Sequence, residues 1–82
     1  MVENKVLLKL VEELNELATI LMQQHNKPDK NFSSDIIEEI GDVELQLERL
    51  KKYYDKKAIK KRIAWKKLKS EMKEKFNQEW DD

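Results

Sequence analysis

An all-α fold is predicted for this chain by two observations. The 82 residues contain one proline and one glycine, so little in the sequence interrupts long helices. Apolar side chains also recur with a 3.6-residue rhythm in three successive stretches. The first stretch, about residues 3–24, carries Leu7, Leu10, Val11, Leu14, Leu17, Ala18 and Leu21 on one arc. His25 to Asn31 breaks the rhythm, and Pro28 disfavours helix at the residue before it. Ser33 or Ser34 then offers an N-cap, with acids in the following turn. A second helix is expected over about residues 35–54, with Ile36, Ile40, Val43, Leu47 and Leu50 as its stripe. A further break near Asp55 to Lys57 has no glycine or proline to mark it. The third helix, about 57–78, places Ala58, Trp65, Leu68, Met72 and Phe76 on one side. Ile59 and Ile63 point elsewhere, which suggests a second contact surface, such as another subunit. The expectation is a single domain, 1–82, whose three helices pack as an antiparallel bundle. A chain of this size buries only about 60% of its unfolded surface as a monomer, so oligomerisation is expected to complete the core.

Composition narrows the functional classes. There are 17 basic and 17 acidic residues and no cysteine, which excludes a disulfide framework, a thiolate zinc site and a cysteine nucleophile. No apolar run reaches membrane-spanning length and no leader-like segment opens the chain, so a cytoplasmic protein without membrane contact is expected. The charges are unevenly distributed. Residues 1–50 hold 11 acidic and 5 basic side chains, and residues 51–82 hold 12 basic and 6 acidic ones. The two parts therefore carry −6 and +6.

The acidic half contains two pairs at i,i+3 spacing, Glu13 with Glu16 and Glu39 with Asp42. That spacing puts both members of a pair on one helical face. At 100° per residue, each pair lies on the trailing edge of its helix's apolar arc. Antiparallel neighbours would then bring both pairs to the same flank. With a rise of ~1.5 Å per residue, the pairs sit ~15 Å and ~10 Å from the connecting loop. Four oxygen donors gathered this way suit a hard divalent cation. The competing reading is solvated helix surface, since 41% of the chain is charged. Position at the edge of the apolar stripe argues for the functional reading, because like charges there repel and lose hydration. Gly41, the only glycine, costs about 1 kcal/mol in a helix interior. A close backbone approach or clearance for a ligand would explain it, and drift is the alternative.

Glu12-Glu13-x-x-Glu16, followed after 22 residues by Glu39-x-x-Asp42, resembles the EExxE…ExxD pattern of the MazG-like members of the all-α nucleoside triphosphate pyrophosphohydrolase superfamily. The stretch Glu38 to Leu50 is most similar to the small phage-encoded versions. The resemblance implies hydrolysis of a nucleoside triphosphate to monophosphate and pyrophosphate. It also implies Mg2+ (with Mn2+ as a substitute) held by Glu13, Glu16, Glu39 and Asp42, and assembly as a dimer or tetramer. Glu12 and Glu38, beside the ligands, could orient the attacking water or support the ligands from behind, with plain surface exposure the alternative for each. Fuller family members carry an additional helix before EExxE, so a partner subunit would be needed to supply that wall of the substrate pocket.

In the third helix Arg62, Lys66, Lys69 and Lys73 form a basic stripe, a candidate clamp for pyrophosphate. A solvated face, or an ion-pair partner for the acidic helices, is the competing reading. Trp65 could stack a base, although its neighbours Leu68, Met72 and Phe76 read more readily as core. His25 has no ligand companion and reads as surface. Two other functions compete with the enzyme reading. One is a non-catalytic helical interaction or regulatory module that retains the fold. The other is nucleic-acid binding through the Lys-rich helix, disfavoured by zero net charge, the interspersed Glu71, Glu74 and Glu79, and the lack of a helix-turn-helix pattern.

Overall fold

The structure, a computed structural model, describes the backbone of residues 1–76 and the side chains of residues 1–74. Three helices follow in order: α1, Asn4–Asn26; α2, Ser33–Lys51; and α3, Lys56–Phe76. Among the described residues there is no strand, as the sequence predicts. None of the helices is long and apolar enough to cross a membrane.

Helix boundaries depart from the sequence reading at three places, each for a local reason. α1 runs two residues further than expected, to Asn26. Its last turn is occupied by Gln24, whose side chain organises the loop. The Gln24 Nε2 donates to the carbonyls of Lys30 at 2.7 Å and Lys27 at 3.4 Å, and the Phe32 N–H donates to Gln24 Oε1 at 3.1 Å. α2 starts at Ser33, so neither Ser33 nor Ser34 is the N-cap; Phe32 holds that position without a side-chain cap. The Asn31 carboxamide takes over instead, accepting from the Ser33 N–H at 2.9 Å. α2 stops at Lys51 rather than at a tyrosine, and Tyr53 and Tyr54 close turns onto the carbonyls of Leu50 and Lys51. Asp55 then starts α3, its Oδ1 accepting from the N–H groups of Lys57 at 2.9 Å and Ala58 at 3.4 Å. That is the usual way an aspartate satisfies the open donors of a first helical turn. The expected last residues of this helix, Asn77 and Gln78, lie outside the described residues.

α1 and α2 pack side by side as an antiparallel hairpin joined by the Gln24-tied loop. The seam between them is narrow. Leu10 and Val43 are its only buried apolar residues among those described, and Glu13 and Gln46 are buried beside them. Val6, Leu17, Ile20, Phe32, Ile36, Leu47 and Leu50 are half-buried along the same line.

α3 differs from the sequence expectation. It packs on the hairpin far less than α1 and α2 pack on each other. Trp65 and Leu68, read as part of a core stripe, remain 45% and 48% exposed; Ala58 is exposed and only Met72 is half-buried. The side chain of Phe76 lies outside the described ones. The physical reason is in the composition of α3, which carries ten basic and two acidic residues. Its short apolar stripe is too sparse to outweigh the hydration of the charges beside it.

Gly41 sits in the middle of α2 on its solvent side, and a Cβ there would meet nothing within 4 Å. No close approach requires this glycine. Gly41→Ala is therefore expected to stabilise the helix by about 0.5–1 kcal/mol, read as a higher midpoint in urea denaturation. An unchanged or lower midpoint would mean that Gly41 is not a free, solvent-facing helix position.

Candidate functional site

The carboxylates converge on one flank of the hairpin seam. One oxygen each of Glu13, Glu39 and Asp42 lie within 4.8 Å of one another. α1 contributes Glu13 and α2 contributes Glu39 and Asp42, one helical turn apart. The convergence follows from the antiparallel pairing, because both acidic pairs are displaced in the same rotational sense from their apolar arcs. Glu13 is buried at 6% exposure although it is a carboxylate. One of its oxygens, Oε1, lies 3.1 Å from Lys9 Nζ. Its Oε2 and the Oε2 of Glu39 are buried and have no hydrogen-bond partner. Buried carboxylate oxygens left without a donor are costly, and they are the atoms that a bound cation would satisfy.

Electrostatics agree with this geometry. The Glu39 carboxyl is pushed above the ordinary carboxylate range, first by desolvation, then by the charge of Glu16 and, less strongly, by Asp42 and Glu13. Glu16 thus belongs to the same electrostatic group, although it stands outside the tight trio and is exposed. It lines an adjoining open cleft of about 360 Å³ together with Asn15, Thr19, Ile20, Gln23, Asp35 and Glu39. The cleft runs from the trio toward the interhelical loop. Lys9 is held above its usual value chiefly by its hydrogen bond to Glu13, then by the charges of Glu13 and Glu12.

The remaining sequence candidates are distributed as follows. Glu12 is exposed, 3.5 Å from Lys9. Glu38 is exposed on α2 and is not part of the trio. None of the basic stripe is among the residues that line the cleft beside the carboxylates. Arg62 and Lys66 border a separate groove on α3 with Ile63, Lys67, Ser70 and Glu71. Lys66, Lys69 and Lys73 already have interaction partners, and Lys69 is buried. Trp65 likewise stays on α3, away from the cleft lining. Among the described residues, the lining of the acidic cleft includes neither a basic side chain nor Trp65.

Two residues at the site were overlooked in the sequence. Asp35 lies i−4 from Glu39 and i−7 from Asp42, so the acidic edge of α2 is three residues long rather than two. Lys9 lies i−4 from Glu13, a spacing that pairs opposite charges along a helix. Both spacings can be read from the sequence.

Against protein-family models, curated proteins and solved structures, no match to this chain is found.

Proposed function

We propose that the hairpin is a divalent-cation site for phosphate chemistry and that the chain acts as a Mg2+-dependent nucleoside triphosphate pyrophosphohydrolase. The observation that carries the reading is the trio of Glu13, Glu39 and Asp42, with two buried carboxylate oxygens left unpartnered. The donor set suits the ion: Mg2+ takes a few carboxylates and keeps its other positions for waters and substrate phosphates. When bound, the ion would neutralise phosphate charge and lower the pKa of a coordinated water. Glu13, Glu39 and Asp42 would hold it. Glu16, on the wall of the cleft, is placed to complete the set or to accept a proton from water at the cleft edge. Asn15, Thr19 and Gln23 supply neutral polar groups along the same wall, where the rest of a nucleotide would lie. Lys9, 3.1 Å from Glu13 Oε1, holds that carboxylate in orientation.

The sequence resemblance to the MazG-like pattern supports the choice of nucleotide over other phosphate substrates. The test is a panel of ribo- and deoxynucleoside triphosphates with Mg2+ or Mn2+, followed by quantitation of monophosphate and pyrophosphate. Monophosphate and pyrophosphate in equal amounts, absent when EDTA is added, is the expected result. No release from any substrate removes the enzyme reading.

One observation favours a second reading, a non-catalytic helical module that retains the site. Among the described residues, no basic side chain lines the acidic cleft. Cation binding without turnover across the whole panel would select that reading.

A further inference from the structure

A second pocket opens at the end of the hairpin away from the interhelical loop. It holds about 470 Å³ and is lined by Lys5, Val6 and Lys9 of α1 and by Gln46 and Arg49 of α2. Three of these five side chains are cationic and none is acidic. The acids that pair with Lys5 and Lys9, namely Glu3, Glu12 and Glu13, lie outside the lining. Arg49 is exposed and has no ion-pair partner among the described residues. Lys5 and Val6 belong to the first turn of α1, which holds no acid, so the positive end of the helix dipole adds to the same potential.

Gln46 supplies the observation that points to a ligand. It is 6% exposed, yet its carboxamide makes no hydrogen bond among the described residues. A side chain buried this deeply normally spends its two N–H donors on a partner. Donors lining a cationic pocket suit a ligand that only accepts, an oxyanion. Position relative to the carboxylates narrows the choice. Gln46 is i+4 from Asp42 and Lys9 is i−4 from Glu13, so the pocket lies one helical turn, ~6 Å, beyond the trio. Lys9 joins the two places, with its Nζ 3.1 Å from Glu13 Oε1. The polar cleft leaves the trio in the other direction, toward the loop. Cleft, carboxylates and cationic pocket thus follow one another, an order that suits the sugar, the metal-held phosphate and the terminal phosphate of an extended nucleotide.

We propose that this pocket is an anion site that takes a phosphate group directly, without metal, through Lys5, Lys9, Gln46 and Arg49. It rests on the proposed function for the choice of phosphate over other oxyanions, and not for the existence of the site.

The test is calorimetric titration of the full chain with inorganic pyrophosphate in EDTA, which keeps the carboxylates free of metal. Wild type is expected to bind, and Arg49→Ala to bind roughly tenfold more weakly. Lys61→Ala removes an exposed charge on α3, outside the pocket, and is expected to match wild type. Lys5→Ala, also at an exposed position, shows the same loss and decides the matter if Arg49→Ala folds poorly. Lys9 is left in place because it also holds Glu13. No binding by wild type overturns the proposal, as does full affinity in both pocket variants. An equal loss in Lys61→Ala also overturns it, because attraction would then be to diffuse positive charge. Pyrophosphate binding that depends on Arg49, without turnover of any nucleoside triphosphate, removes the hydrolase reading and supports the anion site.

Discussion

Glu39→Gln is expected to have two opposite effects. In metal-free buffer at neutral pH it raises the thermal midpoint, and in Mg2+ it removes both the ion's stabilising effect and nucleotide turnover. The first effect follows from the position of Glu39 in the structure. Its carboxyl carries a buried oxygen without a donor and shares the site with Glu13, Glu16 and Asp42. Its folded pKa lies above the unfolded value, so the protonated form is the one the fold favours. Its contribution to stability is therefore fully present below the unfolded pKa and is lost as pH rises through the folded one. Wild type should gain stability as pH falls from neutral toward the ordinary carboxylate range, and Glu39→Gln should lose that part of the pH dependence. The second effect follows from losing one of three charged donors. Turnover is expected to fall by a factor on the order of 100 or more, the usual scale for removing one charge-stabilising group from a reaction site. Thermal melts with EDTA and with Mg2+, across a pH series, separate the two. A variant that matches wild type in EDTA and still responds to Mg2+ would show that Glu39 is ordinary surface.

Leu10→Ala is expected to cost about 2–4 kcal/mol, a large part of what so small a fold can hold. Leu10 and Val43 are the only buried apolar residues described, and they meet across the one packed helix pair. Leu8, two residues away and 57% exposed, serves as the control, and Leu8→Ala should stay within about 0.5 kcal/mol of wild type. Urea midpoints with unchanged slopes give the comparison. Equal effects at the two positions would mean that the seam is not the stabilising core.

The all-α class, the two breaks and the convergence of three acidic side chains were legible because each depends on rotation within a helix. One hundred degrees per residue fixes where Glu13, Glu39 and Asp42 point once their helices pair. The exact ends were less legible, because the groups that set them act across the chain. Gln24 reaches eight residues forward to Phe32, and Asn31 rather than a serine meets the start of α2. The break near Asp55 was expected, but the capping role of its side chain was not read from the sequence. The position of α3 was the least legible element. Its apolar stripe looks like that of a core helix, but whether such a stripe is buried depends on what it packs against. In this chain it packs on the hairpin far less than α1 and α2 pack on each other.

The loop between α1 and α2 is held by a side chain from within α1, and this has a consequence for how the protein can vary. Gln24 contacts main-chain atoms at Lys27, Lys30 and Phe32, so it reads the spacing of the loop and not the identity of its side chains. Lys27 to Lys30 can change in kind, whereas Asn31 is held by its side-chain contact to the Ser33 N–H, and one inserted residue would break the register of the Gln24 contacts and let α2 shift against α1. Glu39 and Asp42 would swing away from Glu13 while every helix stayed intact. Among related sequences, loop length should therefore be held constant while loop composition drifts.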